Sequence, residues 1–86
     1  NNYPNPFNSV TILNYDLPDD IVVNIIIYDV LGRFVKEMVN NYQSAGHRSI
    51  AWDGTDDKGA SVSAGIYFYS IQAGGFLQTK KMVLLK

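Results

Sequence analysis

Few residues in this chain have side chains suited to catalysis, and those few are poorly grouped. There is no cysteine, which excludes a disulfide scaffold, a thiolate zinc site and a cysteine nucleophile. The single histidine, His47, shares a strand face with Ser49, but no nearby carboxylate in the sequence is placed to orient it. The only glutamate, Glu37, has no carboxylate partner at a definable spacing. We therefore predict a non-enzyme without catalytic residues or cofactors, in which His47 is a surface residue.

The acidic segment of residues 53–59 is a second candidate for chemistry. Calcium prefers about six to eight oxygen ligands, which acidic loops containing glycine can supply. The spacing is not that of an EF-hand, no glutamate closes the loop, and Lys58 interrupts it. Aspartates also stabilise turns by accepting hydrogen bonds from nearby backbone groups. We favour the turn and predict no metal site, with a calcium loop as the alternative, formed by Asp53, Asp56 and Asp57.

Aromatic residues make up 13% of the chain, so a surface that stacks sugar rings has to be considered. Trp52 alternates in phase with Ile50, and Tyr67 and Tyr69 alternate in phase with Ile71. This pattern is typical of the buried face of a strand, where aromatic rings bury a large area per residue. We assign these rings to the core and expect a contact surface to use the aromatics in or near loops: Tyr3, Tyr42 and Phe76.

The C-terminal segment has the most unusual composition. No acidic residue follows Asp57, so residues 58–86 carry a charge of +4, whereas residues 1–57, with eight acidic and three basic residues, carry −5. One interpretation is an edge strand whose lysines discourage aggregation with other sheets. The other is a recognition signal that a receptor reads by strand addition. The residues concerned are Lys80, Lys81, Met82, Val83, Leu84, Leu85 and Lys86.

Size and charge limit the remaining possibilities. The 86 residues suffice for one domain, spanning residues 1–86, and a net charge of −1 argues against nucleic acid as a partner. The longest apolar run, residues 25–28, is far shorter than the ~20 residues of a membrane span, so we expect no transmembrane segment. The chain begins with Asn1 and shows no signal peptide. We expect it to be a piece of a longer protein.

Short β-type segments separated by turn residues position these features. Leu13, Tyr15 and Leu17 share one face of the first strand, and Val23, Ile25 and Ile27 share one face of the second. Further strands are predicted at residues 34–39, around residues 49–52, at residues 66–71 and at residues 76–85. Two hairpin turns are predicted, one at residues 29–32 with Gly32 in the left-handed position and one at Gly74 and Gly75. No segment shows sustained helical periodicity. The pattern predicts an all-β fold, an immunoglobulin-like antiparallel β-sandwich of about seven strands.

Six motifs that occur in order along the chain resemble one family. They are NYPNPFN at residues 2–8, YDLP at 15–18, IYDVLGR at 27–33, WDG at 52–54, SAGIYFY at 63–69 and KKMVLLK at 80–86. Together they resemble the type A C-terminal sorting domain of the type IX secretion system, which is related to the immunoglobulin-like domain of flagellar hook-capping proteins. Ser9 departs from the resemblance, because the family usually has proline there.

The resemblance implies that the domain is the last module of a larger secreted protein and a non-catalytic signal that directs this cargo across the bacterial outer membrane. Its implied partners are the outer-membrane secretion machinery, a sortase-like peptidase and the upstream domains of the parent protein. The implied location is the cell surface or the medium, reached through the periplasm of a Bacteroidetes-like bacterium. The resemblance places the signal largely in the last strand and its ending, residues 80–86.

One functional alternative remains open at this point. An accessory β-sandwich of this size could instead bind carbohydrate or pack against a neighbouring catalytic domain. Either role requires an exposed aromatic strip or a contiguous apolar patch on the surface.

Overall fold

Successive side chains on a strand point to opposite faces, so every second residue of the apolar segments in this chain can face a common core. The computed structural model describes residues 10–86. It contains six strands: β1 (Thr11–Leu17), β2 (Ile21–Asp29), β3 (Phe34–Gln43), β4 (Gly46–Trp52), β5 (Gly65–Ala73) and β6 (Phe76–Leu84). No helix that could cross a membrane is found in this part of the chain.

The strands form two antiparallel sheets that pack face to face. β1 pairs with β4 in the small sheet, and the large sheet has the order β3-β2-β5-β6. The predicted buried faces of β1, β2 and β5 are confirmed, and they meet in a single core between the sheets. Its fully buried members include the large side chains Trp52, Tyr15, Leu13, Ile25, Ile27, Ile71 and Leu84.

The predicted immunoglobulin-like antiparallel sandwich is confirmed, but the strand number differs. Residues 10–86 contain six strands instead of about seven. Between β4 and β5 the chain contributes only an isolated bridge, Thr55 with Ser61, because aspartate side chains there hold the backbone in turns. β3 continues to Gln43, four residues past its predicted end, because its outer half pairs with Ile21–Ile25 of β2.

Both predicted tight hairpins are present. Gly32 adopts the left-handed conformation (φ 79°) at the β2–β3 turn, where its N–H donates to the Asp29 carbonyl. Gly74 and Gly75 connect β5 to β6, and Ala73 faces Phe76 across the loop. The φ of Gly74 is 60° whereas Gly75 is not left-handed, which is typical of a type II′ turn. This turn sets the register of β6 along its full length and therefore positions the C-terminal segment.

Candidate functional site

The predicted recognition segment consists of most of β6 and the two residues that follow it. Met82 and Leu84 point into the core and are 8% and 1% exposed. Lys81, Val83 and Leu85 point outward and are exposed, as is Lys86. The segment therefore has two roles that alternate along the strand, since every second side chain anchors it in the core and the others face solvent.

The hairpin geometry shows which backbone groups of β6 are unpaired. In a two-residue hairpin, the pair that closes the loop exchanges both hydrogen bonds, and bonded and non-bonded pairs alternate from there. Ala73 and Phe76 form this closing pair. The alternate residues of β6 consequently direct their N–H and C=O groups away from β5, where no strand of residues 10–86 pairs with them: Leu77, Thr79, Lys81 and Val83.

The opposite edge of the large sheet is partly covered. The backbone N–H of Asp57 donates to the Val35 carbonyl of β3 at 3.1 Å, and the Glu37 N–H donates to an Asp57 carboxylate oxygen at 3.2 Å. The Lys36 Nζ also donates to the Thr55 hydroxyl at 2.9 Å. The acidic loop thus caps part of β3, which makes the edge at β6 the more open of the two for another strand.

The three lysines of the segment differ in their contacts. The Lys80 Nζ reaches across the sandwich and donates to the Asn14 carbonyl of β1 at 3.2 Å. The Lys86 Nζ donates to the Ser61 hydroxyl and the Val62 carbonyl. Neither of the two ion pairs found within residues 10–86 includes Lys81. Two of the lysines therefore tie the segment to the domain, and the third presents its charge to solvent.

A groove that the sequence did not indicate lies between β1 and the end of β6. Among the described residues its walls are Val10, Thr11 and Ile12 on one side and Val83 and Leu85 on the other, and its volume is about 450 Å³. The four apolar side chains are between 52% and 69% exposed. The alternation of β1 does mark Ile12 as outward-facing, but only the packing of the two sheets brings it next to Val83.

The aspartates of residues 53–59 act as turn-forming residues. The Asp53 carboxylate accepts hydrogen bonds from the Thr55 hydroxyl and N–H, and the hydroxyl bond is the main reason that the pKa of Asp53 is lowered. The Asp56 carboxylate accepts from the N–H groups of Lys58 and Ala60. Asp57 binds β3. The three carboxylates thus serve different backbone partners, and no group of three or more metal-ligating side chains is found in the described part of the chain.

The expectation that no carboxylate orients His47 is wrong. The His47 Nδ1 lies 2.6 Å from an Asp16 carboxylate oxygen, because antiparallel pairing of β1 with β4 places the two residues directly opposite each other. They are 31 positions apart in sequence, so local spacing did not reveal the pair. Both side chains are at least 70% exposed, and the surface location predicted for His47 is confirmed.

The aromatic residues divide largely as predicted. Trp52 is fully buried, and its ring lies edge-on to Tyr67 at a centroid distance of 5.1 Å. Tyr69 is 6% exposed, so these three rings form core and not a sugar-binding platform. Tyr42 and Phe76 lie at the ends of β3 and β6 and are 65% and 42% exposed. Tyr3 lies outside the described residues.

The two packed antiparallel sheets define an immunoglobulin-like β-sandwich, and sequence comparison defines its family. The profile of the FlgD Ig-like domain matches residues 6–75, so the chain belongs to this family of structural, non-catalytic domains. The crystal structure of FlgD from P. aeruginosa is similar, with a TM-score of 0.73 and 26% sequence identity. The match covers 91% of this chain and 61% of that chain. No curated protein matches the sequence.

Proposed function

We propose that this domain is a C-terminal sorting signal of the type IX secretion system, which carries an attached cargo across the outer membrane and has no catalytic role. The proposal keeps the FlgD-like sandwich as a stable support and assigns recognition to residues 80–86. Membership of the FlgD Ig-like family supports this proposal, because sorting domains of this type are related to that family.

The observation that carries the proposal is the position of β6. It is the last strand of the large sheet, its outward backbone groups pair with no other strand of residues 10–86, and Lys81 and Val83 stand on that edge. An exposed edge strand is a template for strand addition, in which backbone hydrogen bonds supply affinity and side chains supply specificity. A secretion receptor would recognise the domain in this way only after the sandwich has folded.

The alternation of β6 determines how the proposal has to be tested. Deleting residues 80–86 would remove Met82 and Leu84 from the core as well as the exposed signal. Truncating a fully buried leucine to alanine typically costs about 3 kcal/mol, whereas exposed substitutions usually change stability by less than about 0.5 kcal/mol. If a deletion variant were not exported, unfolding and loss of recognition could therefore not be distinguished as the cause.

The test is export of a fluorescent reporter fused to this domain in a bacterium with a type IX system. We expect the variant Lys81→Ala, Val83→Ser, Leu85→Ser to fold and to leave the reporter in the periplasm. A matched variant, Phe34→Ser, Tyr42→Ser, Lys58→Ala, removes the same number of exposed apolar and lysine side chains elsewhere, and we expect it to be exported. Equal export of both variants would contradict the proposal.

Several further steps belong to the same proposal. The secreted cargo would lie upstream of this domain in the parent protein, and a sortase-like peptidase would cleave the domain during transfer to the surface or medium. Cleavage is checked by comparing the reporter's mass in the cells and in the medium. A reporter that reaches the medium with the domain still attached would separate export from cleavage.

A second candidate is a structural module in a flagellar hook-capping protein. The observation that favours it is the similarity to FlgD from P. aeruginosa, of which this chain spans 61%. Complementation distinguishes the two candidates. A chimeric FlgD, in which this domain replaces the matching part, is expressed in a strain that lacks FlgD. Under this second proposal the chimera would restore swimming, whereas a sorting signal would not.

A further inference from the structure

We propose that the outer edge of β6 binds an extended peptide strand that carries an acidic side chain opposite Lys81. This deepens the proposed function, on which it rests, by naming the chemistry of the partner that reads the edge. The argument uses the backbone pairing of β6, the charge around Lys81, the cost of pairing with a second copy, and the groove beside Val83.

The backbone supplies the binding groups. Leu77, Thr79, Lys81 and Val83 turn their N–H and C=O groups outward at regular intervals, and β6 pairs with β5 in one continuous register. β2, by contrast, shows two register shifts against β3 on the other side of the sheet. A regular edge with an unbroken series of donors and acceptors accepts an incoming strand, whereas bulges oppose one.

The charge at this edge is positive and uncompensated. β5, the strand paired with β6, contains no charged residue, and Phe68 lies directly opposite Lys81. The ion pairs of the described residues lie elsewhere, between Arg33 and Asp29 and between His47 and Asp16. Oppositely charged side chains that face each other across two strands stabilise the pairing, so the strand that complements this edge carries a carboxylate opposite Lys81.

A second copy of the chain is a poor occupant of the same edge. Two copies of β6 that pair antiparallel over their whole length meet at the centre of Phe76–Leu84, which is Lys80. This register places Lys80 opposite the second copy's Lys80, with the two Lys81 side chains nearby. Like charges that face each other destabilise strand pairing. The lysines thus disfavour self-association at this edge and favour an acidic strand.

The groove adds a second point of recognition. It begins at Val83, two residues beyond Lys81 on the same face of β6, and its far wall consists of Val10 and Ile12. Side chains two positions apart on an incoming strand lie on the same face. A strand with a carboxylate opposite Lys81 would therefore place its next side chain on that face near the groove. We infer a partner motif in which an acidic residue and an apolar residue are two positions apart.

The experiment uses the isolated domain and two synthetic peptides of seven residues, Thr-Val-Thr-Glu-Thr-Val-Thr and Thr-Val-Thr-Lys-Thr-Val-Thr, in which the charged residue lies two positions from a valine on the same face. Backbone amide shifts are followed by NMR during titration, and amide hydrogen exchange is measured with and without peptide. We expect the glutamate peptide to shift and protect the amides of Leu77, Thr79, Lys81 and Val83. We expect the lysine peptide to bind about two- to tenfold more weakly, because it loses one attractive charge pair and gains a repulsive one.

Charge reversal provides the decisive control. In Lys81→Glu, we expect the preference to change to the lysine peptide, while Lys58→Glu, in the loop that caps β3, leaves the preference unchanged. Equal binding of both peptides, absence of binding, or shifts confined to β3 would overturn the proposal. Protection of the four outward amides in the free domain would also overturn it, because the edge would then already be occupied by the chain's own residues 1–9 or by a second copy.

Export measurements separate this inference from the proposed function. Lys81→Glu is tested in the same reporter fusion as the triple variant described above. If the triple variant abolishes export and Lys81→Glu does not, residues 80–86 still form the signal, but the acidic partner is wrong. If the triple variant is exported normally, the sorting function itself fails, whatever the peptides show.

Discussion

At the scale of single residues, the core depends on aromatic side chains whose polar atoms are satisfied. The Trp52 indole N–H donates to the Thr55 carbonyl at 2.8 Å, the Tyr67 hydroxyl donates to the Ser63 carbonyl at 2.6 Å, and the Tyr69 hydroxyl donates to the Asn14 carbonyl at 3.1 Å. An unpaired buried donor would cost about 1–3 kcal/mol. These bonds also connect the core to the loop before β5 and to β1, so the aromatic residues orient the elements around the C-terminal strand.

The two core tyrosines predict a loss of stability at alkaline pH. Burial raises the pKa of the Tyr67 and Tyr69 phenols above the ordinary value of 10.0, and the nearby Asp29 raises that of Tyr67 further. Above about pH 10 the unfolded chain releases these protons while the folded domain retains them, which favours unfolding. The stabilisation is complete below the ordinary value and is lost as the pH rises through the raised values.

The measurement is urea unfolding at about pH 8 and pH 11. We expect the wild-type domain to lose more stability between these values than the double variant Tyr67→Phe, Tyr69→Phe, in which both phenols are absent. The comparison is made on the difference between the two pH values, because the variant is also less stable at pH 8 through its lost hydrogen bonds. An equal alkaline loss in both proteins would contradict the prediction.

At the scale of elements, the β5–β6 hairpin controls the register of β6, which contains most of the proposed recognition segment. Gly74 occupies a left-handed conformation, and a Cβ atom added there would lie 2.7 Å from the Ile21 Cδ1 at the start of β2. At Gly75 the φ is not left-handed, and a Cβ would meet nothing within 4 Å. The turn therefore requires glycine at position 74 but not at position 75, although the sequence shows glycine at both.

This difference gives a matched pair of substitutions. We expect Gly74→Ala to destabilise the domain by about 2 kcal/mol, because alanine is strained in this conformation and its methyl group contacts Ile21. We expect Gly75→Ala to change the free energy of unfolding by less than about 0.5 kcal/mol. Thermal or urea unfolding monitored by circular dichroism measures both. Equal effects at the two positions would show that the assigned turn is wrong.

At the scale of the whole molecule, one core cluster holds both sheets together. The two strands of the small sheet contribute Leu13, Tyr15, Leu17 and Trp52 to the same buried cluster as the strands of the large sheet. A two-stranded sheet is at best marginally stable alone in water, so β1 and β4 depend on packing against the large sheet. The proposed recognition segment, residues 80–86, depends on the same core through Met82 and Leu84.

This shared core predicts a single cooperative unfolding transition. Trp52 reports on the small sheet by its fluorescence, and circular dichroism reports on all strands together. We expect the two signals to change at the same denaturant concentration in the isolated domain. If the fluorescence changed clearly before the circular dichroism, the small sheet would be a separate unit, and the segment would not require the complete sandwich.

The sequence alone determined the local features of this protein. The two-residue period of a strand identified the residues that share the buried faces of β1, β2 and β5, and glycine positions identified both tight hairpins. These properties depend on residues close together in the chain. The charge imbalance indicated residues 80–86 as an unusual segment. The ordered motifs predicted an immunoglobulin-like sandwich related to that of FlgD. What the sequence pattern left open was the environment of those residues.

Only the tertiary structure decided which surfaces remain open. Asp57 caps β3 from a distant loop, Lys80 is held by Asn14, which is 66 positions away, and His47 meets Asp16 across two strands. Each of these contacts depends on strand pairing and sheet packing over long sequence separations, which local patterns do not encode. The same packing forms the groove at Val83 and leaves Lys81 exposed beside the uncharged strand β5. The edge of a sheet is defined by which strands pair and not by the residues within any one of them.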